Sequence, residues 1–311
     1  MKKPLQKIMI LIISLLIFLL NSISVVSNSI ENDSYKVIFV DDNAAPAWYD
    51  ETHVKTISEG IANSSDGDVV YVLNGTYCER VVVDKEIILF GEHKSTTIID
   101  SEQKGNSIMV TKNNVKISGF TITNSSNESS DNFSVMRGIE IKSNNNEIND
   151  NIITNHKTGI YLCECSENKI LKNTIADNDL LDFVGEGINL YESDNNEIKG
   201  NNLSNNKVGI SFKKSSANSI SLNDLNSNKK GIYFINSNNN EVAKNNFIDN
   251  NIDAAFVSAR FFDRNKWIGN YWEESTMPPK IIKGKVGGLF FHLSWVNFDW
   301  TPAEEPIDTS K

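Results

Sequence analysis

Three cysteines in 311 residues are too few for a disulfide scaffold, so the fold does not depend on covalent cross-links. No basic stripe interrupts a formal net charge of -10, and without one there is nothing to release counterions from a nucleic acid; that partner class is excluded. Only one long apolar run exists, Ile8 to Leu20 behind Met1-Lys2-Lys3 and Lys7. Its length fits a secretory signal better than a full transmembrane span. No Ala-x-Ala cleavage site follows it, so retention as an N-terminal anchor stays open. The expected location is secreted, at the cell surface, or anchored in the membrane on its outer side through that segment alone. Long helical patterns are also missing, which leaves strands to build the core.

One motif is instead written five times between Gly138 and Asp253: Gly-Ile-x-apolar, then Asn-x-apolar-x-x-Asn-x-apolar, then Gly again. The glycines are Gly138, Gly159, Gly187, Gly209 and Gly231, and an asparagine column follows at Asn146, Asn168, Asn196, Asn218 and Asn240. A second column runs through Asn151, Asn173, Asn201, Asn223 and Asn245. A repeat of roughly 22 residues marks a solenoid, in which no unit buries its apolar side alone. Apolar residues alternate with polar ones, as in Ile210-x-Phe212 and Ile232-x-Phe234, so each turn carries short half-buried strands. Three strands per turn make a right-handed parallel β-helix of all-β class. About eight coils between Val69 and Val257 would span on the order of 40 Å at one strand spacing each. Asparagine suits the corners by tolerating left-handed backbone, and its amide can bond its neighbours above and below. Glycine before each Ile is expected at a corner that a side chain would block.

In chain order, residues 1–27 form the signal or anchor, 28–65 an N-terminal cap, 66–257 the β-helix and 258–311 a C-terminal capping segment. The first cap holds a strand at Val37-Ile38-Phe39-Val40 and a short amphipathic helix with Ile57 and Ile61 at helical spacing. Val69 opens the first rod strand, after Asp66-Gly67-Asp68. The last segment is aromatic, with Trp267, Trp272, Trp295 and Trp300. Its structural role is a plug for the open end of the rod. Its functional role is a platform of indole rings for sugars, with Trp267, Trp272 and Trp295 as the candidate carbohydrate-binding residues.

The text from Thr56 to Thr123 resembles the opening of NosD-like and related parallel β-helix proteins of archaeal surfaces. The matching residues are Ile57-x-x-x-Ile61, Asp66-Gly67-Asp68-Val69-Val70-Tyr71-Val72, Asn74-Gly75-Thr76-Tyr77 and Val115-x-Ile117-Ser118-Gly119-Phe120-Thr121-Ile122. Gly269-Asn270-Tyr271-Trp272 is similar to the element that closes the rod in many of them. The resemblance implies a pectin lyase-like fold, in a superfamily that mixes carbohydrate-binding proteins, sugar hydrolases, lyases and adhesin-like surface proteins. It also implies, for the named NosD proteins, a periplasmic role in copper delivery.

Function in a solenoid sits on insertions that break the period. One insertion spans residues 124–137 and another 177–186. Both precede a glycine, so they are expected to leave one edge two coils apart and form a shallow cleft floored by His156-Lys157. Its walls offer Asp131, Arg137, Asp177, Asp179, Asp182 and Glu186. As catalytic candidates, Arg137, Asp177, Asp179, Asp182 and Glu186 supply what a polysaccharide lyase needs, carboxylates for Ca²⁺ and a base. A pair of the carboxyls would equally serve glycoside hydrolysis. Cys163 and Cys165, two apart, are the weak candidates for a soft metal such as copper. The leading reading is a monomeric, non-catalytic module that binds polysaccharide, a surface glycan or a neighbouring surface protein. The alternatives are a lyase or hydrolase using the cleft, and a copper accessory protein.

Overall fold

The Gly-Ile-x-apolar text folds as strands of five or six residues: Arg137–Ile141, Thr158–Cys163, Glu186–Tyr191, Val208–Lys213 and Lys230–Ile235. They stack in parallel with Ile139, Ile160, Ile188, Ile210 and Ile232 in register, all fully buried. The two Asn-x-apolar units form three-residue strands on two further faces. Ile148, Ile170, Ile198, Ile220 and Val242 line the interior of one, and Ile153, Ile175, Leu203, Leu225 and Phe247 that of the other. Three parallel faces wound around one apolar interior make a right-handed parallel β-helix. Each buried Ile or Leu contributes about 2–3 kcal/mol by leaving water.

This computed structural model describes residues 35–124, 137–178, 185–260, 264–274, 278–287 and 293–309, all within the compact unit Tyr35–Lys311. The expected signal or anchor lies outside the described residues. Among the described residues no helix is long and apolar enough to cross a membrane.

The stack extends beyond the periodic text. Val37–Val40, expected within a cap, pairs in parallel with Val69–Val72 and so forms a rung of its own ahead of Val69. The short helix Ile57–Asn63 covers that end with Ile57, Gly60 and Ile61, and its N-terminus carries a capping box between Thr56 and Glu59. At the other end Lys266–Ile268 pairs with Glu241–Ala243.

The asparagine columns are hydrogen-bonded ladders. In each step the backbone N–H and side-chain Nδ2 of one Asn both donate to Oδ1 of the Asn one coil on. Asn201, for example, gives Asn223 Oδ1 two bonds of 2.9 Å. A third ladder, unnoticed in the sequence, runs through Asn178, Asn206, Asn228 and Asn250.

Two corner assignments change. The left-handed residue is the one before each ladder Asn: Asn145, Glu167, Asn195, Ala217 and Asn239 have φ between 54° and 60°. The ladder Asn itself bonds along the rod. The repeat glycines, in turn, lie inside the long strands instead of at corners. A Cβ on Gly187 would sit 2.7 Å from the Gly209 carbonyl oxygen, so glycine there permits close approach of successive coils.

Candidate functional site

The long-strand face places Arg137 and Glu186 in one outer column, with Thr158 between them in register. They are thus two strand spacings apart, about 10 Å. Asp131, Asp179 and Asp182 lie outside the described residues, as do the bodies of both insertions. Each described group of the expected cleft is already engaged. The Arg137 guanidinium pairs with Glu140 and lies 3.7 Å over the Tyr161 ring. Buried Glu140 also accepts from Asn106 Nδ2 at 2.5 Å and sits 3.3 Å from Lys142 Nζ. Buried Glu186 accepts from Lys213 Nζ at 2.9 Å and from Asn189 Nδ2. Both carboxylates therefore spend their lone pairs on internal donors.

Asp177 stands where the second insertion leaves the coil. It is an exposed corner residue at φ 58°, and its Oδ1 accepts from Asn205 Nδ2 at 3.2 Å. The expected floor includes His156. It is fully buried and heads the third ladder, its backbone N–H donating to Asn178 Oδ1 at 3.0 Å and its Nε2–H to the Ile122 carbonyl at 2.9 Å. Burial pushes the imidazole down to about 4, against the smaller opposing effect of the Ile122 bond, so it is neutral at physiological pH. Lys157 beside it is buried as well.

Sequence reasoning missed Glu140, Tyr161, Asn189 and Lys213. The first three occupy the x of Gly-Ile-x-apolar, the outward position of each long strand, where Glu140, Tyr161, Asn189, Ser211 and Tyr233 follow one another. The signal was available in that column's lack of periodicity: the inward columns repeat and this one does not.

Cys163 and Cys165 do not form a pair. Cys163 is half-exposed on the outer face, whereas Cys165 turns inward to fill a rung of the column Ser143, Ser193, Ser215 and Ser237. Its Sγ lies 3.6 Å from the Ile141 carbonyl, and burial pushes the thiol up to about 11.

The aromatic segment divides in two. Trp272 is buried, stacked on Phe247 at 4.2 Å, with Nε1 donating to Asp299. It plugs the rod and offers no ring face to a sugar. Trp267 is also buried, edge-on to Phe234, yet one side of it borders a cavity. That cavity exists because the strand Leu293–Asp299 meets Lys266–Ile268 at a single pair, Trp267 with Asp299. It then departs to pair antiparallel with Lys280–Val286 along its whole length. The resulting wedge has a volume of about 550 Å³ and is lined by Trp267, Trp295, Phe298 and Trp300, with Arg264 and Lys266 at its side. The Trp267 Nε1–H is buried without a hydrogen-bond partner. Trp300 is 67% exposed, and Trp295 packs partly against the core.

No curated protein matches the chain. Solved structures share its fold. Pectate lyase Pel9A superposes with a TM-score of 0.55 at 12% identity, over 78% of this chain and 73% of that one. The catalytic domain of a GH87 α-1,3-glucanase in complex with nigerose gives 0.53 at 11%, over 79% and 47%. The Dettilon tailspike protein gives 0.52 at 16%, over 81% and 50%. The chain thus spans about half the length of the tailspike and glucanase chains. A family model described as "Periplasmic copper-binding protein (NosD)" matches residues 59–287. The described side chains do not fit a copper ion: among them no three His, Cys, Asp or Glu converge, and Cys163 ends its strand half-exposed while Cys165, beyond that strand, is buried in the core. The match covers the coils, their ladders and the closing Trp267 and Trp272, and on that basis the chain belongs to the NosD family of parallel β-helix proteins.

Proposed function

We propose that this protein is a non-catalytic carbohydrate-binding module acting outside the cytoplasm, and that it holds sugar in the wedge beside Trp267. One observation carries the reading: a cavity of about 550 Å³ walled by Trp267, Trp295, Phe298 and Trp300. The volume falls in the range of small-ligand sites. The C–H faces of a pyranose pack on indole rings, which Trp295 and Trp300 supply at the cavity wall. The engaged state of Glu140 and Glu186 favours binding over turnover on the long-strand face. The family's periplasmic description agrees with a location outside the cytoplasm.

The test is binding of the full chain to neutral and acidic oligosaccharides, with and without Ca²⁺, read by tryptophan fluorescence alongside assays for new reducing ends and unsaturated uronates. Binding that weakens in Trp300→Ala and Trp295→Ala, without turnover, is the expected result. Turnover lost in Glu186→Gln would replace this reading with a hydrolase or lyase acting at the other face.

A further inference from the structure

We infer that the wedge takes a glycan bearing carboxylate groups, a uronic acid unit, in preference to a neutral sugar; this rests on the carbohydrate reading above. The chain carries 40 acidic against 30 basic residues. Among the cavity's described lining residues that balance is reversed: Arg264 and Lys266 are present and no Asp or Glu is. For an anionic ligand approaching a chain of net charge -10, such an inversion marks where it can settle.

The chemistry is specific to a carboxylate on a ring. Arg264 is exposed at the mouth, and its guanidinium presents parallel N–H donors that match a carboxylate in two bonds. Lys266 bridges Glu241 at 2.9 Å, but the two side chains are 66% and 46% exposed, so the pair is weak and the ammonium is available to a ligand. In a pyranuronate the carboxylate projects from the ring's edge. A ring laid between Trp295 and Trp300 therefore points its charge sideways, toward a cation beside the aromatic wall. Lys266 opens the strand Lys266–Ile268 and Arg264 lies two residues ahead of it, both lining the cavity.

The deciding comparison is a galacturonate oligomer against its fully methyl-esterified form, which keeps the ring and removes the charge. The full chain is expected to bind the acid at least about tenfold more tightly than the ester, the scale of one charge-assisted hydrogen bond. Arg264→Gln is expected to abolish that difference by weakening the acid alone. Trp300→Ala, at an exposed position that leaves folding intact, is expected to weaken both forms. Equal affinity for acid and ester, unchanged in Arg264→Gln, overturns the inference and leaves the carbohydrate reading standing. Failure to bind either form, or any neutral oligosaccharide, overturns the carbohydrate reading itself.

Discussion

Replacing Asn201 by alanine is expected to destabilise the β-helix by several kcal/mol although the residue touches no candidate ligand. Asn201 is 1% exposed. Its Oδ1 accepts the Asn173 backbone N–H at 2.9 Å and Asn173 Nδ2 at 3.1 Å. Its own Nδ2 donates to Ile170 O at 2.8 Å, Lys199 O at 3.2 Å and Asn223 Oδ1 at 2.9 Å. Truncation leaves the Asn173 N–H without an acceptor and removes the amide from Ile170 O, while Asn173 Nδ2 keeps Ile148 O at 2.9 Å. One buried donor left unmet, at about 1–3 kcal/mol, and the lost bonds to Ile170 O and Asn223 Oδ1, at about 1 kcal/mol each, give about 4 kcal/mol as a central value. For domains of roughly 150–250 residues that corresponds to a midpoint lower by about 8–16 °C. The assay is thermal melting by far-UV circular dichroism, with Asn205→Ala as control, since Asn205 is an exposed corner of the same coil at φ 54°. Asn201→Asp probes direction. Its buried carboxylate faces three oxygens, so its folded pKa lies above the unfolded value of about 3.9. Its deficit relative to wild type is then greatest at neutral pH and shrinks as pH falls through that raised value. Equal midpoints for Asn201→Ala and Asn205→Ala would refute the claim that the ladder is energetically distinct from the corners.

Other substitutions test neighbouring claims. His156 is held neutral by burial at about 4, below its ordinary 6.5, so the unfolded chain binds the proton more readily and stability declines as pH falls from about 6.5 toward 4. His156→Asn, which matches the Asn178 column, is expected to remove that decline, of order 3 kcal/mol, in urea titrations run at successive pH values. Cys165, buried and raised to about 11, is expected to resist alkylation in the folded protein while exposed Cys78 reacts; peptide mass mapping reads the difference. Gly187→Ala drives a Cβ to 2.7 Å from backbone oxygen and is expected to cost about 2–4 kcal/mol by denaturant unfolding.

What the sequence made legible was whatever the interior repeats. Ile148, Ile170, Ile198 and Ile220 stack because each inherits the environment of the last, so one physical constraint prints itself in every coil. Glycine was misplaced because its two properties predict different sites: conformational freedom suggests a corner, while lack of a Cβ suggests a crowded strand, and the second governs at Gly159 and Gly187. The third ladder escaped notice because its first rung is His156, which shares a position with asparagine but not a residue type. Asp177 was read only as the opening of an insertion, while its backbone also continues the corner column of Asn155 and Asn205. The wedge was beyond reach for a different reason. Trp267 and Trp295 were legible as aromatic, but the space between them depends on Leu293–Asp299 leaving the stack for an antiparallel partner, a non-local event that no period encodes.

That departure is itself explained by the ladder. In the second column the last amide, Asn270, passes its two donors to a carboxyl group, which accepts them and has no amide of its own to place. Asp299 fills the position: fully buried, it accepts from Asn270 N and Nδ2 at 3.0 Å each, from Trp272 Nε1 at 3.2 Å, and from the backbone N–H of Gly269 and of Thr301 at 3.2 Å. Five donors anchor one residue. Once Asp299 has terminated the column, the rest of its strand has no ladder to join and pairs instead with Lys280–Val286. Lys266–Ile268 is thereby left with one pairing on that side, at Trp267, and the gap beyond it is the cavity. The polar chemistry that stops the solenoid thus opens the space proposed here to hold its ligand, which places Asp299 as the residue through which the stability of the plug and the shape of the site are linked.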